Sequence, residues 1–310
     1  MPRCLCLRGV VGTAIGQDDE GQAVLVVYVE RPTVRGIPAQ VDGVEVSKRV
    51  TGRFYALKNP CSGPPDQRPA GCFSDPEPGI DPTGRFDRPV PIGVSTGHPD
   101  ITAGTIGARV TDYSHSNVYA LRNNHVYANS NDASTGDPVL QPGPYDGGAA
   151  PADTIGTLYA FVPLTFGGSS ANTIDAAVAI TTVADSDNAT PTDGYGRPDS
   201  TTAGVSIGDP VQKYGRTTGL TSGTVSELNA MVDVCYDSRG LICLKYAHFV
   251  NQIAISDGSF SAGGDSGSLI VSNDGNNAPV GLLFAGSSTR TLANPIDDVL
   301  EAFRVSIDGK

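Results

Sequence analysis

Apolar positions come in short bursts along this chain, and clusters of turn-forming residues separate them. Gly9 to Gly16, Ala23 to Glu30 and Val44 to Tyr55 read as strands, divided by turns such as Gln17-Asp18-Asp19-Glu20-Gly21. Between 57 and 97 the pattern stops. Nine prolines lie between Pro60 and Pro91 without hydrophobic periodicity, which predicts a linker or extended strap that forms no core. From about residue 98 short strands recur with turn signals roughly every 8–12 residues. The polar stretch Ala184 to Gly204 divides them into two groups, about 98–185 and about 204–290. The end of the chain changes period. Asn294 to Phe303 predicts a helix over about 295–304, with Asn294 as N-cap, Pro295 in the first turn, Asp297 and Asp298 early, and Ile296, Val299, Leu300 and Phe303 on one face. The expectation is a mainly β chain closed by one helix.

Composition agrees and removes several partners. Of 310 residues, 39% are hydrophobic and 17% charged, with 38 Gly, 23 Pro and no Trp, which suits many short strands joined by turns. No apolar run approaches the length of a membrane span, so no membrane partner is expected. The formal net charge is −12, with 21 basic against 33 acidic residues and no basic cluster. Phosphate contacts supply most nucleic-acid affinity, so DNA and RNA are excluded as partners. Six cysteines are present. Cys235 and Cys243 flank what reads as two strands and a turn, and Cys61 and Cys72 bracket the proline-rich loop, so each pair could bridge. Pairing would imply an oxidising compartment. The first residues show no apolar run of signal-peptide length, which leans to the cytoplasm instead.

The chemistry concentrates at Ala262-Gly263-Gly264-Asp265-Ser266-Gly267-Ser268, just before the apolar run Leu269-Ile270-Val271. A serine hydroxyl needs a neighbouring base to become a nucleophile. It also needs open approach and backbone N–H groups aimed at the developing oxyanion, both of which glycine permits. The chain has four histidines: His98, His115, His125 and His248. His125 ends the run Val118 to Asn124, where a strand gives way to a polar corner, the usual place for a rigid scaffold to present a reactive group. His115 sits in a polar turn, His98 beside Gly97 and Pro99, and His248 inside a strand-like run. An orienting carboxylate is also required. Asp175 is one acid in the apolar run Ile174 to Ile180, and a buried carboxylate needs a partner. Asp112, Asp132, Asp137, Asp146 and Asp153 lie in polar turns, where solvation accounts for them.

His125, Asp175 and Ser266 fall in the chain order seen in chymotrypsin-like enzymes. From about Thr102 onward the chain resembles the chymotrypsin/trypsin-like serine peptidases, closest to the trypsin-like group of bacteria and plant narrow-leaf type proteins. The residues carrying the likeness are TAGTIGARV at 102–110, ALRNNHVYANSN at 120–131, TIDAAVA at 173–179, KYGRTTGLTSGTV at 213–225, GGDSGSLI at 263–270 and PVGLLFAGSSTRTLANPI at 279–296. The resemblance implies a chymotrypsin-like double β-barrel over 98–310 with a C-terminal helix, preceded by a small N-terminal α/β module over 1–56 and a linker over 57–97. It implies Ser266 as nucleophile, His125 as base, Asp175 as orienting carboxylate, and the N–H groups of Gly264 and Ser266 as oxyanion hole. It also implies Phe260 and Gly286 in the substrate-binding pocket, and a polypeptide substrate with no cofactor.

Two departures stand out. Nothing like an activation site precedes TAGTIG, so Asp265 must find a partner other than a released amino terminus. Phe260 stands where an acid would select Lys or Arg. Gly215-Arg216-Thr217-Thr218-Gly219 lacks the lysine and spacing of a phosphate loop and reads as a tight strand-to-strand turn. Asn129, Ser130, Asn131 and Asp132 with Asp137 could offer oxygen ligands to calcium, but Asx-rich turns are commonly only turns, and no metal is assigned. Two other functions share these features: a protease-derived binding or assembly protein, with room for a homo-oligomer, and an esterase using the same three residues.

Overall fold

The structure, a computed structural model, describes residues 7–57, 79–101, 103–168, 170–239, 242–256 and 258–310. Five strands come first: β1 (Val10–Gln17), β2 (Ala23–Val29), β3 (Gln40–Val41), β4 (Val44–Val50) and β5 (Phe54–Ala56). The expected α/β module is, in its described residues, strand without helix. The bursts Val10–Gln17 and Ala23–Val29 alternate or are wholly apolar at strand length, which leaves no helical stripe.

The first group of later strands holds β6 (Ser95–Thr96), β7 (Gly104–Thr105), β8 (Ala108–Asp112), β9 (Val118–Arg122), β10 (Pro138–Leu140), β11 (Thr154–Phe161), β12 (Ala171–Asn172) and β13 (Ala177–Thr181), with a one-turn helix α1 (Asn124–Tyr127) after β9. The second holds β14 (Pro210–Gly215), β15 (Gly219–Arg239), β16 (Ile242–Ser256), β17 (Leu269–Ser272), β18 (Pro279–Gly286) and β19 (Arg290–Pro295). Helix α2 (Ile296–Phe303) and β20 (Val305–Ile307) close the chain.

Two sheets carry the fold. Among the described residues, β10-β11-β13-β9-β8-β20 form a six-stranded sheet, so the last strand of the chain returns to the first group. The second group runs β16-β19-β18-β17-β14-β15, and pairing of β15 with β16 closes that path into a barrel. The chain is thus mainly β, with a double-barrel layout and a C-terminal helix. Long β15 continues beyond the barrel and pairs antiparallel with β1, which pairs with β2 and so extends the second sheet. Tyr28 of β2 donates to Glu227 Oε2 at 3.1 Å, and Arg290 grips the same carboxylate through Nε at 2.8 Å and Nη2 at 2.9 Å. This buried tie fastens the N-terminal strands to the barrel.

Two expectations need correction. Residues 90–97 belong to the core, not to a linker: Val90, Ile92 and Val94 are buried with Ile106, Val126 and Val139. The chain turns at Ile92 and Gly93 (φ 84°), so no strand carries the three residues and their burial comes from packing against distant elements, which the surrounding prolines obscured. Helix α2 begins at Ile296 with Pro295 as its N-cap residue, so Asn294 is not the cap. Its buried face, Ile296, Val299 and Leu300, is the expected one. Cys235 and Cys243 are bridged across the β15–β16 hairpin. Cys61 and Cys72 lie outside the described residues.

Candidate active site

Strand β9 ends at Arg122, and α1 turns the chain so that His125 faces Asp175, just before β13. Asp175 Oδ2 meets His125 Nδ1 at 2.6 Å, and its Oδ1 accepts the His125 backbone N–H at 3.1 Å. The Tyr236 hydroxyl donates to Oδ2 at 2.7 Å. The aspartate's own backbone is pinned as well. Its N–H donates to Asn294 Oδ1 at 3.0 Å, its carbonyl accepts from Asn123 Nδ2 at 2.8 Å, and Asn294 Nδ2 donates to Gln252 Oε1 at 2.6 Å. Burial alone would raise the Asp175 carboxyl, but the His125 ring, the Tyr236 hydroxyl and the His125 N–H together hold it below the usual carboxylate range. Burial and the nearby Asp175 charge push the Tyr236 hydroxyl far up, so it remains a donor.

Ser266 sits in the turn between Gly264 (φ 100°) and Gly267 (φ 91°), left-handed backbone that suits glycine. A Cβ on Gly264 would stand 2.4 Å from Thr217 Oγ1, so the site also lacks room for one. The Ser266 hydroxyl donates to Phe284 O at 3.2 Å. Phe284 lies 4.7 Å from Phe249, ring to ring, and Phe249 stacks on Tyr236, the donor to Asp175. From the histidine side, buried Arg122 donates to Ser266 O at 2.6 Å and to Thr105 O at 2.7 Å. Burial pulls the Arg122 pKa down to about 9, which still leaves a cation near neutral pH. Ser266, His125 and Asp175 are each 0% exposed.

Asp265 finds its partner in the turn Gly215-Arg216-Thr217-Thr218-Gly219, which joins β14 to β15 as expected. Oδ1 accepts the N–H groups of Thr217 at 2.8 Å and Thr218 at 3.2 Å, while Oδ2 accepts Thr218 Oγ1 at 2.7 Å and Ala262 N–H at 2.9 Å. Lys213 Nζ lies 3.7 Å from Oδ2, both side chains fully buried, and donates to Thr218 Oγ1 and to Gly219 O at 2.9 Å. Burial draws the Lys213 ammonium below its ordinary value, and Asp265 opposes that. A lysine inside the β14 pattern thus joins the threonine turn in holding this aspartate.

The remaining candidates fall elsewhere. His98 Nε2 meets Asp137 Oδ2 at 3.2 Å, His248 Nδ1 meets Asp233 Oδ1 at 3.0 Å, and His115 is exposed at the β8–β9 turn with Nδ1 3.1 Å from Thr111 Oγ1. Asp146 is not simply solvated: it forms a buried ion pair with Arg216 of the threonine turn. Asp153 likewise pairs with Arg85. Of the calcium candidates, Asn131 Oδ1 accepts from Asn124 Nδ2 and Leu164 N–H, and Asp137 Oδ2 accepts from Ser134 N–H, so both brace loops. Phe260 is fully buried in a cluster with Val211, Val225, Ile253 and Ile255. Gly286 ends β18, paired with Tyr55 of β5.

Tyr236, Asn294, Gln252 and Lys213 escaped the sequence reading. Lys213 stood there as a charge in an otherwise strand-like run, and Asn294 only as a helix cap.

A sequence family described as the Nal1 C-terminal domain matches residues 199–298. No curated protein of similar sequence matches the chain. Solved structures that resemble it include a glutamic acid-specific serine protease (20% identity, 70% of this chain and 100% of that one, TM-score 0.48). Thermobifida fusca protease A is similar too (17% identity, 71% and 100%, TM-score 0.49), as is the Cellulomonas bogoriensis chymotrypsin (19% identity, 73% and 100%, TM-score 0.46).

Proposed function

We propose that the chain is a serine endopeptidase cutting polypeptides through an acyl-enzyme on Ser266. The observation that carries this reading is the buried His125–Asp175 contact at 2.6 Å, with a glycine-flanked serine whose backbone is tied by Arg122 to the strand that leads into His125. His125 Nε2 takes the Ser266 proton as Oγ bonds to the substrate carbonyl carbon, and the N–H groups of Gly264 and Ser266 stabilise the oxyanion. The imidazolium, steadied by Asp175, then returns the proton to the departing amine, and water releases the acid by the same route. Phe260, in place of an acid, supports a preference away from Lys and Arg. The Cys235–Cys243 bridge supports an oxidising compartment over the cytoplasm.

A fluorophosphonate should label Ser266, and labelling should vanish in Ser266→Ala and fall steeply in His125→Ala. A folded protein that stays unlabelled across the neutral range refutes the proposal. One observation favours a second reading, a protease-derived binding or assembly protein: the Ser266 hydroxyl is directed at Phe284 O within a fully buried site. On that reading Ser266→Ala retains all partner binding, and the wild type turns nothing over. Matched ester and amide substrates separate an esterase from either.

A further inference from the structure

Strand β5 and the residue after it lie against the serine turn in a particular register. Tyr55 pairs antiparallel with Gly286 and Ala56 with Ala285, adding β5 to the end of β18. On its other side β5 runs parallel to β15, with Phe54 beside Val234 and Tyr55 beside Cys235. Leu57 continues the line. Its N–H donates to Phe284 O at 3.3 Å, the same carbonyl that receives the Ser266 hydroxyl. Its own carbonyl accepts the N–H of Gly264 at 2.8 Å. A peptide carbonyl therefore rests on a proposed oxyanion-hole donor, while the amide of the same residue and the nucleophile's hydroxyl converge on one acceptor.

The side chain completes the picture. Leu57 packs on the apolar cluster that contains Phe260, Val211 and Ile253. A Cβ on Gly286 would stand 3.3 Å from Leu57 Cδ1, tighter than an ordinary contact, so glycine there makes room for this side chain. Both residues that the sequence placed in a substrate pocket thus frame Leu57. A strand serving only the sheet would need the ladder to β18, but it would have no reason to aim a carbonyl at a left-handed glycine next to Ser266. Antiparallel addition to a sheet end, with backbone bonds for affinity and a pocket for one side chain, is how extended peptides are generally recognised.

We propose that Phe54-Tyr55-Ala56-Leu57 is a built-in occupant of the acyl side of the substrate groove, and that the pocket holding Leu57 selects polypeptides with an aliphatic residue of leucine's size at the cut bond. The proposal rests on the endopeptidase reading for the use of the groove, but the occupancy and the selectivity are binding properties. Ser266 directs its hydroxyl to Phe284 O and not at the Leu57 carbonyl, the arrangement of a seated occupant rather than one under attack. Any other polypeptide must displace it.

The test uses the full chain. Leu57→Asp places a carboxylate against the apolar cluster, and Leu57→Ala, a milder change, guards against misfolding. Amide hydrogen exchange over residues 262–266 and 284–287 should quicken about tenfold or more in Leu57→Asp and less in Leu57→Ala. Unchanged protection in both variants overturns the occupancy. In a Leu57→Asp, Ser266→Ala double variant, which has no nucleophile, fluorescence anisotropy should show acetyl-Phe-Tyr-Ala-Leu binding at least about tenfold tighter than the same peptide ending in Arg or Glu, the scale on which pockets reject misfitting side chains. Equal binding, or preference for the charged peptides, overturns the pocket assignment. Fluorophosphonate labelling of Leu57→Asp reports separately on the peptidase reading: loss of protection without any labelling would sink that reading and leave the occupant in place.

Discussion

The buried pair of Lys213 and Asp265 offers a prediction whose size follows from geometry. The charges are 3.7 Å apart with no solvent exposure. At an effective dielectric of 20, that separation corresponds to about 4.5 kcal/mol of attraction. Burial nonetheless lowers the Lys213 pKa on balance, so desolvation outweighs what the aspartate returns. The pair is therefore costly to break and cheap to replace whole. Lys213→Met leaves the carboxylate with four neutral donors, from Thr217, Thr218 twice and Ala262, so the loss should sit near the low end of the range for a broken buried pair, about 3 kcal/mol. Asp265→Asn leaves an ammonium with Thr218 Oγ1 and Gly219 O, and should lose about 3–4 kcal/mol. The double variant should lose only about 2–3 kcal/mol, a coupling of about 4 kcal/mol. Urea unfolding of the four proteins at neutral pH measures each corner of the cycle. Losses that add to within about 0.5 kcal/mol would show that the two charges do not depend on each other, and the account of how the Ser266 turn is held would be wrong.

Other outcomes follow from single contacts. Because the folded Asp175 carboxyl titrates below its ordinary value, its stabilisation is complete above about pH 4 and is lost as pH falls below that. Asp175→Asn should therefore unfold more easily at pH 7 and show a shallower acid slope than the wild type in urea midpoints measured between pH 3 and 6; parallel slopes would contradict this. Asn294→Ala strips a partner from the buried Asp175 N–H and from Gln252 Oε1, and should cost about 2–3 kcal/mol of unfolding free energy; a loss under about 0.5 would mean water or a shifted side chain replaces both bonds. Gly264→Ala and Gly275→Ala share a left-handed backbone, but only the first meets a neighbour, at 2.4 Å. Thermal unfolding should show Gly264→Ala losing clearly more than the roughly 1 kcal/mol expected of the φ penalty in Gly275→Ala.

Sequence revealed what was local and periodic. The strand bursts, the β14–β15 turn, the buried face of α2 and the demand of Asp175 for a partner were all visible because each depends on neighbours in the chain. What stayed hidden depends on distance in sequence. Asn294 looked like a helix cap because it precedes Pro295 and two acids, yet 119 residues separate it from the backbone N–H it accepts. Tyr236 is one of many aromatic residues in strand-like runs, and only the fold sets it on Asp175. Val90, Ile92 and Val94 are buried by packing against distant elements, and the prolines around them read as a strap. Leu57 stood at the boundary of two segments and matched no pattern. Its place beside Gly264 comes from the register of β5 against β18, which turn chemistry does not specify.

The pairing of β1 with β15 bears on where this protein can be divided. Trimming the chain to begin at residue 79, ahead of the segment that resembles peptidases, would strip a neighbour from the outer length of β15 and bare Val232 and Val234, now packed in one core with Val11, Ala14 and Tyr28. A long unpaired strand with an apolar face invites other chains to pair with it. The remainder would then emerge as a sticky fragment, and the strands of residues 10–56 act in effect as its folding jacket.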